Sequence, residues 1–202
     1  NILIFIEGLY RNTDLDSEKK ELKLLSLEYN KRLKRYDYLI PEIEGMLNQS
    51  LFEDKRLFLS MELAKAYYYL QDYSVTEELL MEILDIYSKK NETAEAYYFL
   101  AQMNIENNFN LEVIKELLNK SKTERSSSKY GKMSKEFLRT IADFETLLYE
   151  YNDSLAIEGS QIRKDSLLFD MGQSYYFDFN QVDSSITKHK QLVDKFPASK
   201  FI

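Results

Sequence analysis

The sequence predicts an all-α protein, a right-handed α-solenoid of about five stacked antiparallel helical hairpins. The 202 residues include only five glycines and two prolines, so residues that interrupt helices are scarce. Apolar residues recur along most of the chain at the three- and four-residue spacing of amphipathic helices. A helix–turn–helix pattern also occurs twice, and such a period is typical of hairpins that bury their apolar faces against one another.

The repeated pattern lies in residues 58–84 and 96–120. Ala64 in the first copy matches Ala101 in the second, 37 residues later. Further matches pair Leu63 with Leu100, the turn residue Tyr73 with Phe109, and Leu80 with Leu117. The alanines are expected where two helices cross closely, because a larger side chain there would force the helices apart.

Helices are expected on both sides of this region. Residues 2–10 and 17–33 form amphipathic patterns, with Ile2, Phe5, Ile6 and Leu9 on the first face and Leu22, Leu25, Tyr29 and Leu33 on the second. A third helix begins near residue 40, with Pro41 in its first turn, where a missing N–H group is tolerated. Hairpins then follow at 55–70 with 74–89 and at 92–106 with 110–121.

Three segments are predicted. Residues 1–121 form N-terminal hairpins, with the two clear ones at 55–121. A Ser/Lys-rich loop at 122–133 interrupts the period, because three serines and Gly131 favour irregular structure. Residues 134–202 form the C-terminal hairpins, with a long helix at 134–151, a short one at 153–163 and a final hairpin that is expected to continue beyond residue 202.

Composition excludes several classes of function. The net charge of −7 disfavours a general affinity for nucleic acid. The absence of cysteine excludes disulfides and thiolate metal sites. No apolar run approaches the length of about 18 residues that a membrane-spanning helix requires. The chain does not begin with methionine, so a processed or trimmed product is expected.

No constellation of catalytic residues is apparent. His189 is the only histidine, and a packing or surface role is expected of it, because a catalytic or metal-binding histidine needs companions. The pairs Glu77–Glu78 and Glu42–Glu44 do not share a helix face. Residues 131–134 (GKMS) lack the glycine spacing of a phosphate-binding loop. We therefore expect no enzyme activity, no metal site and no cofactor.

The hairpins resemble tetratricopeptide repeats from about residue 20 to residue 202. The resemblance rests on small residues at the crossing position (Ala64, Ala101, Ala142 and Gly172), on Tyr67 and Tyr175, and on Pro197 at the end of a unit. The sequence departs from the family in having no tryptophan and in placing Thr76, Val113, Ser154 and Ser185 where the second helix usually carries alanine. The resemblance implies the hairpin fold and a protein-binding role.

A finer resemblance involves residues 147–157, 175–186 and the closing FPASKF. These segments are similar to aromatic-rich repeats in proteins of the bacterial cell envelope. The resemblance implies a scaffold in the periplasm or on the periplasmic face of the outer membrane, and a cytoplasmic location remains the alternative.

The function expected from the resemblance is binding of partner proteins in the concave groove. The groove positions that it implies are Met61, Lys65, Tyr68, Tyr98, Gln102, Ile105, Arg139, Asp143, Thr146, Phe169, Gln173 and Tyr176. The aromatic triplets at 67–69, 97–99 and 175–177 cannot point entirely into one core, because successive helical residues are about 100° apart. The alternative is a structural subunit that assembles through its edges and ends, as a homo- or hetero-oligomer.

Overall fold

The structure, a computed structural model, describes the backbone of residues 2–156 and 161–202 and the side chains of 2–153 and 164–202. The described residues form ten α-helices and one 3-10 helix at Ser50–Lys55, without a strand. The α-helices in chain order are α1 (Ile2–Asn12), α2 (Asp16–Arg32), α3 (Tyr36–Leu47), α4 (Arg56–Tyr69), α5 (Tyr73–Ile86), α6 (Asn91–Asn107), α7 (Leu111–Glu124), α8 (Lys129–Ala156), α9 (Gln161–Phe177) and α10 (Val182–Lys195).

The chain is therefore all-α, as predicted. Helices that follow one another in sequence pack as adjacent pairs, from α1 to α5 and again from α7 to α10. The helices expected at 55–70, 74–89, 92–106 and 110–121 are present as α4, α5, α6 and α7. The short helix predicted at 153–163 falls largely on residues whose structure or side chains are not described, although residues 153–156 belong to α8.

The chain divides into two compact units, Asn1–Ala96 and Tyr97–Ile202, so the division falls within α6 and not in the Ser/Lys-rich segment. The predicted loop at 122–133 is shorter than expected, because α7 continues to Glu124 and α8 already begins at Lys129. Ser128 Oγ donates to the Arg125 carbonyl at 2.7 Å and accepts the Gly131 N–H at 2.9 Å. These two bonds stabilise the four-residue turn between α7 and α8 and the first turn of α8.

Gly131 lies in the first turn of α8 and does not interrupt the helix. A β-carbon at this position would overlap the carbonyl oxygen of Arg125 and lie 2.9 Å from its carbonyl carbon. Only a residue without a side chain leaves room for the preceding backbone to fold back so closely. The glycine therefore permits the tight turn that brings α8 against α7.

Each unit has its own apolar core. In the first unit one cluster of buried core residues consists of Leu27, Leu39, Ile43, Met46, Phe52, Leu59, Leu63 and Ala66. In the second unit the corresponding cluster consists of Ala101, Ile105, Ile114, Leu118, Ile141, Phe144, Tyr151, Leu167, Leu168, Met171, Phe179 and Leu192. The second core joins residues on both sides of the Ser/Lys-rich segment, which explains why that segment does not divide the chain.

The apolar faces predicted for α1 and α2 are partly wrong. Only Ile6 of the four residues expected on α1 is buried, whereas Phe5 is 66% exposed. On α2 the buried residues are Leu27 and Asn30, and the predicted Leu25 and Leu33 are exposed. Pro41 lies inside α3, beyond its first turn, because the helix begins at Tyr36 and not near residue 40. The sequence pattern could not show which face of these helices the neighbouring helices cover.

The turns between helices use residues other than glycine in the left-handed conformation. Lys34, Gln71, Lys89, Phe109 and Asn180 all have φ between 46° and 63° and each follows the end of a helix. The next residue then often bonds back into the last helical turn, as Asp72 N–H does to the Tyr67 carbonyl at 3.0 Å. Asp72 and Asn110 go on to cap the N-termini of α5 and α7 with their side chains. This arrangement explains how so few glycines suffice.

The predicted close crossing at Gly172 is present between α9 and α10. The Gly172 carbonyl accepts the Ser185 hydroxyl at 2.8 Å, and a β-carbon on Gly172 would lie 2.6 Å from Nδ1 of His189. Ala64 and Ala101 are likewise completely buried, but Ala142 is exposed and does not mark a crossing. The buried small residues between α7 and α8 are instead Ser121 and Ser134, whose hydroxyls are 2.8 Å apart.

We predict that Gly172→Ala destabilises the protein by about 1–3 kcal/mol, because the new methyl group overlaps the imidazole of His189. The ring cannot move away freely, since Nδ1 contacts the Ser185 carbonyl at 2.9 Å. Chemical denaturation measures the change. Gly45→Ala is the matched control, because a β-carbon there meets nothing within 4 Å and the higher helix propensity should stabilise α3 by up to about 1 kcal/mol. Equal effects at the two glycines would contradict the close crossing.

Candidate functional site

Two of the predicted groove residues are core residues. Met61 on α4 is 1% exposed and Ile105 on α6 is 4% exposed, so neither offers a side-chain surface to a partner. The neighbours of Met61 explain the error: Leu59, Glu62, Leu63, Ala64 and Ala66 are also buried, so α4 is enclosed on several faces. A helix that is covered on most sides has no continuous polar face, so its sequence does not indicate which side is exposed.

Lys65, also predicted to face the groove, belongs to a network of charges in the first unit. Its ammonium group pairs with Glu62 on the same helix and with Glu95 on α6 at 2.9 Å. Lys31 of α2 reaches the other oxygen of Glu62 at 2.6 Å. The Glu62 side chain is only 4% exposed, so the two lysines supply the compensation that a buried carboxylate requires. The network joins α2, α4 and α6 by ion pairs.

Burial and charge act in opposite directions on Lys65. Desolvation by itself lowers the pKa of the Lys65 ammonium group, but the nearby carboxylates of Glu62 and Glu95 more than offset it and the net pKa is raised. The same region raises the pKa of Tyr36, chiefly through desolvation and then through the neighbouring Tyr69 and Glu62. Lys65 is therefore charged at neutral pH and committed to internal partners.

The predicted aromatic positions Tyr68 and Tyr98 are half-buried and make contacts within their own units. Tyr68 packs edge-to-face against Tyr69 and Tyr73, with ring centroids 5.4 and 5.9 Å apart. Tyr98 lies 5.4 Å from the ring of Tyr130, and its burial raises the pKa of its hydroxyl. Both rings therefore contribute to packing within their own units.

The predicted positions on α8 are all at the surface. Arg139, Asp143 and Thr146 are exposed, and the Thr146 hydroxyl donates to the Ala142 carbonyl at 2.9 Å. Their helix buries Ile141 and Phe144 on its other side. Gln102 on α6 is half-buried. The assignment of these four residues to a binding groove remains a prediction.

On α9 the structure separates the three predicted residues. Phe169 is stacked on Phe201 with centroids 4.9 Å apart and meets His189 edge-on at 5.8 Å, so the C-terminal segment covers part of it. Gln173 is half-buried. Tyr176 is 50% exposed and pairs edge-to-face with Phe177, which is 73% exposed. The end of α9 therefore carries two adjacent aromatic rings at the surface.

The sequence did not indicate the burial of three carboxyl or amide side chains, Asn30, Glu62 and Asp165. Asp165 accepts the Ser199 hydroxyl at 2.5 Å and its own neighbouring Ser166 N–H at 2.8 Å, which ties the C-terminal segment to α9. Glu62 interrupts an apolar run between Met61 and Leu63, and this position was the one available signal of a buried charge. Asn30 and Asp165 occupy positions in the hydrophobic pattern that exposed polar residues also occupy, so their burial could not be recognised from the sequence.

The side chains described here provide no group of histidine and acidic residues arranged to hold a metal ion. His189 instead packs between Gly172, Ser185 and Phe169. Within the described helices, none is long and apolar enough to cross a membrane. No protein-family model matches the sequence, and no curated protein is significantly similar to it.

We predict that Lys65→Met lowers the free energy of unfolding by about 1–3 kcal/mol, because Glu62 and Glu95 lose a hydrogen-bonded cation while Lys31 still pairs with Glu62. The pKa of Lys65 is raised in the folded state, so its contribution is complete below the unfolded value of about 10.4. It is lost as the pH rises through the higher folded value.

The measurement is thermal unfolding of both proteins between neutral pH and about pH 11. The difference in melting temperature should persist to about pH 10 and shrink above it. Lys120→Met is the control, since that lysine forms an exposed pair with Glu116 and should change stability little. A neutral effect of Lys65→Met would show that the network does not stabilise the first unit.

Proposed function

We propose that the chain is a non-catalytic scaffold that binds segments of partner proteins, in the manner of a tetratricopeptide solenoid in a bacterial envelope assembly. The proposal rests on surface aromatic residues, because tyrosine and tryptophan are enriched where protein interfaces derive most of their binding energy. Two exposed aromatic side chains, Tyr176 and Phe177, are adjacent at the end of α9.

The observation that carries the proposal is the pair formed by Tyr176 and Phe177. Their ring centroids are 4.9 Å apart and nearly perpendicular, so the two side chains form one apolar surface with a hydroxyl group on one ring. Their exposure of 50% and 73% leaves most of this surface in contact with solvent. A partner that covers both rings would remove from water the apolar surface that stays exposed in the folded chain.

Replacing both residues by alanine should weaken partner binding by at least about 30-fold, the equivalent of 2 kcal/mol for a hot spot. Melting temperature should remain nearly unchanged, because exposed rings contribute little to the core. The measurement combines thermal unfolding with quantitative co-purification of partners by the tagged chain. Tyr149→Ala is the matched control, since this tyrosine is 72% exposed on α8. Partner recovery unaffected by the double variant would place binding elsewhere.

A structural subunit that assembles through its ends is the second candidate, and α1 favours it. Ile4 is 71% exposed and Phe5 66% exposed, on a helix whose only buried side chain is Ile6. Apolar residues of this size at the surface of one helix are typical of contact with another protein. In this alternative α1 contacts a neighbouring subunit of a larger complex. That neighbour is either a second copy of this chain or a different protein.

The alternative predicts self-association through α1. Light scattering at increasing protein concentration should show dimers or larger species, and the double variant Ile4→Lys with Phe5→Lys should give a monomer, because burying two ammonium groups is costly. Leu15→Lys with Leu33→Lys is the control, since both leucines are more than half exposed outside this helix. A monomer at every concentration would contradict self-association.

A further inference from the structure

The exposed aromatic pair at the end of α9 lies in a part of the chain whose only charged residues are acidic. Residues 165–187 include four aspartates and no lysine, arginine or histidine, although the whole chain has 27 lysines and arginines. Asp170 and Asp178 are both exposed, and Asp178 directly follows Phe177 in the chain. Asp170 precedes Phe177 by seven residues, so the two lie on the same side of α9, about 10.5 Å apart along its axis. The Phe177 ring therefore has carboxylates before it and after it.

The negative charge of these two aspartates is not compensated within the described part of the chain. Neither Asp170 nor Asp178 forms an ion pair with a described side chain. Partial desolvation raises the pKa of the Asp170 carboxyl, and no described cation opposes that shift. At Asp54, by contrast, a hydrogen bond from Lys20 lowers the carboxyl pKa. A cation supplied by a partner would therefore complete the pairing of this surface.

The two aromatic rings also lack a cation of their own chain. Tyr38 provides the comparison, because it is likewise exposed, lies next to Asp37, and has the guanidinium group of Arg35 at 4.0 Å from its ring centroid. Over Tyr176 and Phe177 no cation lies among the described residues. A cation within about 6 Å of a ring centroid is attracted to the negative face of the ring. The surface at the end of α9 thus offers open ring faces together with uncompensated carboxylates.

We propose that this surface binds a basic segment of a partner protein, in which arginine or lysine alternates with apolar residues. The cation lies over one of the rings and pairs with Asp170 or Asp178, while the apolar neighbours of the cation cover the rest of the rings. Arginine suits this surface better than lysine, because its planar, weakly hydrated guanidinium group stacks on aromatic faces. The inference rests on the scaffold function proposed above and adds the chemical class of the bound segment.

The test compares three synthetic peptides, GLRGLRGLRG, GLQGLQGLQG and GLEGLEGLEG, which share their leucines and differ in charge. Calorimetry on the full chain should detect the arginine peptide, and amide chemical-shift changes should locate it at residues 170–178. The glutamine peptide should bind at least about tenfold more weakly. The glutamate peptide should not bind, because like charges oppose each other at the interface. Absence of arginine-peptide binding would overturn the inference.

A pair of double variants separates this surface from a general attraction between an acidic chain and a basic peptide. Asp170→Asn with Asp178→Asn should weaken binding of the arginine peptide at least about tenfold and leave the melting temperature unchanged, since both side chains are exposed. The matched control is Asp37→Asn with Tyr38→Ala, which removes an exposed carboxylate and an exposed ring that Arg35 already contacts. Equal losses in the two double variants would overturn the inference.

The outcomes distinguish failure of this inference from failure of the proposed function. Equal binding of the arginine and glutamine peptides, lost in Tyr176→Ala with Phe177→Ala, would overturn the basic class of the segment and retain the aromatic surface as a binding site. Arginine-peptide binding that persists in that double variant would show that the rings are not the site. The inference and the proposed role of the aromatic pair would then fail together.

Discussion

Close approach between consecutive helices is the constraint on which both units depend. Each helix can remove its apolar face from water only against a neighbour, and the distance of approach is set by the smallest side chains at the contact. Gly172 meets His189 in this way, and Ser121 meets Ser134 through a hydroxyl–hydroxyl bond. At these contacts the backbones approach closely enough for the larger apolar residues around them to interlock.

Because the helices pack closely, many polar and aromatic side chains that could have bound a partner contact one another instead. Lys65 neutralises Glu62 and Glu95, Tyr68 packs on Tyr69 and Tyr73, and Phe169 is stacked under Phe201. Side chains that already contact other residues of the chain contribute little to the free energy of binding. The loss of an internal contact offsets the contact that forms with the partner. Residues that remain largely exposed, such as Phe177 on α9, are therefore better indicators of a binding surface than the position of a residue along its helix.

Much of the fold could be predicted from local pattern, whereas much of the candidate site could not. The helices α4 to α7 were located correctly because hydrophobic spacing and turn residues act over a few positions. Gly172 was placed correctly at a crossing, but Ala142 was not, because an alanine serves equally well at a contact and on an exposed face. Burial of Met61 and Ile105 depends on helices distant in sequence, so no local signal distinguished them from groove residues.

The sequence by itself determined the all-α class, since scarce glycine and proline and continuous amphipathic spacing leave no other regular structure for most of the chain. Only the tertiary structure decided which faces became core. It placed Glu62 between two lysines, buried Oδ1 of Asn30 without a donor among the described residues, and left Phe177 at the surface. The physical reason is that helix formation is set by neighbours within about four residues, whereas burial and pairing are set by the helices that pack alongside.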